Sequence, residues 1–258
     1  MEVYSLFSGS SANCTLVRSH TGAILIDAGG SARKISYALS VLGMSFADIS
    51  AVFVTHEHSD HTAALPMISK KYDIPIHMVG ASAERLAADG GCRLPVTPHP
   101  PIFSEEVCGF TVASFPTSHD SAACVGYTIC ENGTKIGIAT DTGEVTPTMC
   151  AALVGCSAVL IEANYDKNML KKGSYPAALK LRISGAGGHL CNDDCASLAV
   201  FLAEQGTRSF LLGHLSAENN RPELAERTVS EALAGNSFAN LTVKAAARYD
   251  ITRMAIEV

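Results

Sequence analysis

The string THEHSDH at positions 55–61 sets three histidines and an aspartate in one short segment, directly after the hydrophobic run ISAVFV. In an extended or looping backbone His56 and His58 point the same way, so their imidazoles reach one divalent ion while Asp60 and His61 reach another. That segment alone cannot complete two coordination shells. The remaining donors stand at comparable places, just past hydrophobic runs: His119 after FTVASFPTS, Asp141 after KIGIAT and His214 after FLLG. His56, His58 and His119 make a three-histidine site, and Asp60, His61 and His214 make the second. Asp141 has the charge to bridge both ions. Two ions so placed bring the pKa of a bridging water near neutrality; the hydroxide attacks phosphorus or a carbonyl carbon while the ions neutralise the developing charge. Asp60 can bind metal and hold the nucleophile's hydrogen. No Ser-His-Asp or Cys-His pattern competes.

These residues need strands that end at one place. VYSLF, CTLVRS and GAILIDAG read as adjacent antiparallel strands separated by Gly, Ser and Asn turns. ISAVFVTH is a buried strand, and SDHTAALPMISKKY turns to helical spacing, so the histidine segment lies between a strand and a helix. IPIHMVG is a further strand, and SAERLAADG a short helix ending at Gly90 and Gly91. Later strands are GFTVASFPTSHD, CVGYTIC, TKIGIATDTG, SAVLIEANYD, SFLLGHLS and LTVKAAARYD, with helices over 145–152, 193–205 and 222–234. This order fits an α/β fold in which two sheets are flanked by helices, a four-layer αβ/βα sandwich.

The length of 258 residues, with no linker or low-complexity stretch, predicts a single domain over 1–258. A hydrophobic content of 47% leaves ample apolar surface to bury, which excludes a disordered chain. The net charge of -6 excludes a globally basic nucleic-acid binder, although a protein built for two cations carries surplus carboxylates. No signal peptide and no apolar run long enough for a bilayer is read, and nine cysteines without a disulfide spacing point to a cytoplasmic location without membrane contact. Cys191 and Cys195 are read as buried small hydrophobes, and His20, His77 and His99 as surface or core-packing residues.

LIDAG at 25–29, HEHSDH at 56–61, His119, Asp141 in ATDTG and His214 in LGHLS resemble the five successive motifs of the metallo-β-lactamase superfamily. The resemblance implies the four-layer fold of that superfamily, and for Asp27 a role in orienting the histidine segment rather than binding metal. GSSAN at 9–13, EANYD at 162–166, SYPAALKLRISG at 174–185, GHLCND at 189–194 and LGHLSAENN at 212–220 resemble the bacterial YycJ/WalJ/VicX-type metal-dependent hydrolases. Cys191 stands where that group usually has Ser, and Tyr165 where His is common. The group is similar to RNase Z-like phosphodiesterases and is linked to exonuclease activity on DNA. By the same resemblance His189, held by Glu162, is placed as proton donor to the leaving alkoxide, so the catalytic set is Asp60, His189 and Glu162.

KNMLKKGSYPAALKLR is a basic island carrying Lys167, Lys171, Lys172, Lys180 and Arg182 without a carboxylate, suited to a phosphate backbone. The expected activity is dinuclear metal-dependent phosphodiester hydrolysis, an exonuclease on DNA or RNA. A cytosolic thioester or lactone hydrolase of glyoxalase II type is the alternative; it would use the same ligands with less need for the island. Both readings require two divalent ions, Zn²⁺ or Mn²⁺ first, with Fe²⁺ or Ni²⁺ also compatible with the donors. Nothing in the sequence fixes an oligomeric state.

Overall fold

The computed structural model describes residues 1–90 and 94–256. Strands β1 (Glu2–Phe7), β2 (Cys14–Arg18) and β3 (Ala23–Ile26) pair antiparallel, as their turns predict. Helix α1 (Ala32–Val41), capped by the Ser31 hydroxyl, is not announced by the sequence patterning, because only Ile35, Ala38 and Leu39 are buried. β4 (Ile49–Phe53) runs parallel to β3 and delivers the histidine segment, which opens into α2 (Ser59–Thr62) and α3 (Leu65–Tyr72). Pro66 lacks an amide proton and sits in the first turn of α3, separating it from α2 where the sequence pattern suggests one helix. β5 (Ile76–Val79), α4 (Gly80–Gly90) and β6 (Val96–His99) complete this half; Gly91 lies outside the described residues.

The second half runs β7 (Ser104–Val107), β8 (Phe110–Pro116), β9 (Val125–Glu131), β10 (Thr134–Ala139), α5 (Pro147–Leu153) and β11 (Ala158–Glu162). The basic island folds as two helices, α6 (Lys167–Lys172) and α7 (Ala177–Ser184). Then follow α8 (Asn192–Glu204), β12 (Ser209–Gly213), α9 (Pro222–Gly235), β13 (Thr242–Ala245) and β14 (Thr252–Met254). The strands form two seven-stranded sheets, ordered β14-β1-β2-β3-β4-β5-β6 and β13-β12-β11-β10-β9-β8-β7.

Alternation along each strand sorts the side chains into three apolar layers. Ile24, Ile26 and Phe53 from one sheet meet Val112, Tyr127, Ile138 and Leu160 from the other. Leu25 and Val52 face Ile35, Leu39, Leu65 and Ile68 of α1 and α3. Val159, Ile161 and Leu212 face Leu153, Leu198, Leu202 and Val229 of α5, α8 and α9. Strands buried on both faces explain why AILI, AVLIE and SFLLG read as continuous apolar runs. The architecture is the four-layer sandwich expected.

Cys195 is fully buried among these helices, while the Cys191 sulfur accepts the Asp194 amide at the start of α8; all described cysteines are free thiols. His20 is exposed. His77 and His99 pack on each other, Nδ1 to Nε2 at 2.9 Å, between the rings of Phe53 and Phe103.

Candidate metal centre

The predicted donors converge because their strands end on one edge of the sandwich. Asp27 follows β3, the histidine segment follows β4, and His119, Asp141 and His214 follow β8, β10 and β12. Asp27, Asp141 and His214 each adopt left-handed backbone, φ 62°, 56° and 55°, a conformation unfavourable for residues with a Cβ. The chain therefore turns sharply just past each of these strands and brings the side chain into the cluster, where surrounding structure sustains the strain.

Nitrogen and oxygen atoms of His56, His58 and His119 lie within 4.8 Å of one another, and so do those of Asp60, His61 and His214. Asp141 sits between these groups, Oδ2 at 3.2 Å from His61 Nε2 and Oδ1 at 3.4 Å from His214 Nδ1 and 3.7 Å from His119 Nε2. The arrangement suits cations on one specific observation. His56 Nε2, His214 Nε2 and Asp141 Oδ2 are buried without a hydrogen-bond partner among the described residues, a costly condition that an ion relieves.

Neighbouring groups fix the donors' orientation. Asp27 accepts the Thr55 amide at 2.8 Å, the Thr55 hydroxyl and the His61 Nδ1–H at 2.8 Å, which leaves His61 Nε2 turned to Asp141. His119 Nδ1–H donates to the Gly188 carbonyl at 2.9 Å. Glu162, wholly buried at the end of β11, accepts from His214 Nδ1 at 2.7 Å and from His189 Nδ1 at 2.8 Å through one oxygen. Its other oxygen takes the Thr142 and Leu190 amides. The sequence motif suggests a Glu162 contact for His189; the sharing with His214 is visible only in the fold. Asn13, the last residue of GSSAN, donates to Asp60 Oδ2 at 3.1 Å and lies 3.0 Å from His61 Nε2.

Backbone bonds lock this arrangement. Asn13 N donates to the Asp60 carbonyl, and Gly29 N to the Asn13 carbonyl, each at 2.8 Å. A Cβ on Gly29 would lie 1.7 Å from the Asp60 oxygen. Gly29→Ala is therefore expected to cost about 2–3 kcal/mol, lowering Tm by roughly 5–10 °C in calorimetry, and to abolish tight metal binding. A variant with wild-type Tm and metal content would refute that clash.

Without an ion the charges balance internally. Burial opposes ionisation of Asp141, but His214 and His61 hold its carboxyl well below the usual range. Burial disfavours the His61 imidazolium, yet Asp27 and Asp141 raise it well above its ordinary value; His214 is raised to about 10 against burial, by Asp141 first. His56 is pushed far down by burial and by His61. Metal uptake through His61 and His214 must displace their protons. Calorimetric titration at pH 8 in two buffers of different ionisation enthalpy should show release of about two protons per loaded chain, with affinity weakening as pH falls. Buffer-independent heats would contradict it.

Such a cluster of candidate donors on this fold defines a class. The chain belongs to the metallo-beta-lactamase superfamily, whose family model matches residues 8–167. It is 34% identical over 237 residues to a Bacillus anthracis protein named exodeoxyribonuclease YycJ, covering 90% of this chain and 89% of the relative. It is 32% identical over 233 residues to exodeoxyribonuclease WalJ of Streptococcus pneumoniae serotype 2, covering 89% and 87%. The solved structure of the metallo-beta-lactamase fold protein YhfI from Bacillus subtilis shares the fold, with a TM-score of 0.72 at 16% identity over 98% of each chain. No helix of the described residues is long and apolar enough to cross a membrane.

Proposed function

We propose that this metal-dependent hydrolase is a phosphodiesterase that acts as an exonuclease on DNA, with two divalent ions held by His56, His58, Asp60, His61, His119, Asp141 and His214. The observation that carries the reading is His189. It stands outside that ligand set, 3.7 Å from Asp141, with Nδ1 on the buried Glu162 and a partly exposed side chain. An alkoxide leaving from a phosphodiester needs a proton, and a thioester's thiolate needs one less, so a built-in donor favours the phosphodiester. The exodeoxyribonuclease names of the two relatives support the same choice over the glyoxalase II-type alternative. The apolar layer shared by both sheets supports reading 1–258 as one domain.

When bound, Zn²⁺ or Mn²⁺ would supply a nucleophilic water at neutral pH and offset charge on the phosphoryl oxygens. The chain's own residues do the rest. Asp60, with its side chain 21% exposed and anchored by Asn13, accepts the attacking water's hydrogen. Burial would lower His189, but Glu162 raises it overall, so the protonated form is favoured where the leaving oxygen departs. Glu162 itself, opposed by burial and supported first by His189, is held down to about 2 and stays charged.

The test is hydrolysis of bis-p-nitrophenyl phosphate beside labelled DNA and RNA duplexes with added Mn²⁺ or Zn²⁺. Metal-dependent cleavage lost in Asp60→Ala is the expected result. Intact diesters with every metal, alongside thioester turnover, would overturn the proposal.

A further inference from the structure

Three of the basic island's five cations are engaged with the protein itself. Arg182 pairs with Asp120 at 2.5 Å, Lys167 with Asp193 at 3.3 Å, and the Lys180 ammonium donates to the Lys171 and Gly173 carbonyls. A second group of cations lies on the other flank of the metal centre. β14 runs antiparallel to β1, so the segment before it, Arg248 and Tyr249, returns to the edge where β1 ends and the loop 8–13 begins. The inner side of that loop serves the metal centre: Asn13 holds Asp60, and the Ser8 hydroxyl accepts the His214 amide. On its outer side, Ser11 Oγ lies 3.4 Å from the Tyr249 hydroxyl, and Arg248 donates to the carbonyl of Leu215, the residue after His214.

Across from Tyr249 stands the first turn of α1. Its Lys34 ammonium is 5.6 Å from the Tyr249 ring centroid, and Arg33 and Tyr37 flank it. Together Phe7, Ser31, Arg33, Lys34, Tyr37 and Tyr249 line a cleft of about 520 Å³. Tyr37 is 72% exposed and Tyr249 59%. Among the described residues no carboxylate pairs with Arg33, Lys34 or Arg248, and exposed Asp250 pairs with none of them. Two exposed cations without a carboxylate partner, Arg33 and Lys34, beside two exposed tyrosine rings are an unusual concentration in a chain of net charge -6.

We infer that this cleft holds an unpaired DNA strand beside the metal centre, with a base stacked on Tyr249 and phosphates on Arg33 and Lys34. The inference rests on the phosphodiesterase reading and adds to it the form of the substrate. Charge complementarity selects a polyanion, and exposed aromatic rings select one whose bases are unstacked, since paired bases offer no free face. A duplex would therefore engage this cleft only through a frayed or resected end.

The test is fluorescence anisotropy of a labelled oligothymidylate of about 12 nucleotides, within the usual site size, with EDTA present so that nothing is cleaved. Tyr249→Ala should weaken binding roughly 5- to 150-fold, the loss of one base stack, and Tyr249→Phe should bind as wild type. The double variant Arg33→Ala/Lys34→Ala should reduce the slope of log affinity against log salt by about 1.4. Bis-p-nitrophenyl phosphate turnover should remain unchanged in all three, and a blunt duplex should be insensitive to Tyr249→Ala. Wild-type affinity in Tyr249→Ala, equal loss in Tyr249→Phe, or a wild-type protein that binds no oligothymidylate would overturn the inference. Failure of the parent reading looks different: the metal-loaded wild type leaves every diester intact.

Discussion

Asp141→Asn should lower metal-supported diester turnover by at least about 10³-fold, a loss of roughly 4 kcal/mol of transition-state stabilisation. The side chain keeps its size, so the effect isolates the charge that faces His61, His119 and His214 at 3.2–3.7 Å. Stability of the metal-free protein should fall as well, by about 3 kcal/mol near pH 7, because two buried imidazolium groups lose their shared counter-charge. The pH dependence has a definite sign. A carboxyl depressed in the folded state contributes stability above its unfolded value near 3.9 and loses it as pH falls, so variant and wild type should converge in acid. The raised His61 and His214 act oppositely: their contribution is complete below about 6.5 and is lost as pH rises, for His214 through about 10. Denaturant unfolding at several pH values, with chelator present, measures both limbs. Equal stability of the two proteins at pH 7, or retention of a tenth of the wild-type rate, would remove Asp141 from the centre.

His189→Ala should reduce DNA cleavage by about 10²–10⁴-fold while sparing bis-p-nitrophenyl phosphate, whose stabilised phenolate departs without a proton. Glu162 raises the His189 imidazolium, so wild-type DNA cleavage should decline as pH rises through that elevated value, and His189→Ala should lose this limb. Glu162→Gln keeps the hydrogen-bonding shape but removes the charge, and should move the limb to lower pH. The same substitution should weaken metal binding through His214 by about 10- to 100-fold, since one oxygen serves both rings. If His189→Ala slowed both substrates alike, the residue would be a structural support of the loop rather than a proton donor.

Much of the architecture was legible in the residue pattern. Fully buried strands have no polar alternation to hide them, and the helices over Pro147–Leu153, Asn192–Glu204 and Pro222–Gly235 fall within two residues of the predicted 145–152, 193–205 and 222–234. The edge strands Val96–His99, Ser104–Val107 and Thr252–Met254 escaped because three or four residues are too few for a period to show. Helices α6 and α7 escaped for a related reason: α7 buries none of its residues, so no apolar stripe marks it.

By itself the sequence singled out the candidate donors, because ligand chemistry demands His and Asp and the chain concentrates them at the ends of apolar runs. It also carried the family, through motifs whose order is independent of how the loops fold. Only the tertiary structure decided which atoms share partners. Glu162 reaches His189 and His214 from 27 and 52 residues away, and Asn13 reaches Asp60 across 47. It likewise decided that the island's cations are partly neutralised, whereas Arg33 and Lys34 line the cleft beside Tyr249 without a carboxylate. The physical reason is that hydrogen bonds and charge pairs act over a few ångströms of space. Two residues 200 positions apart acquire a relation only when strand pairing brings their ends to one edge.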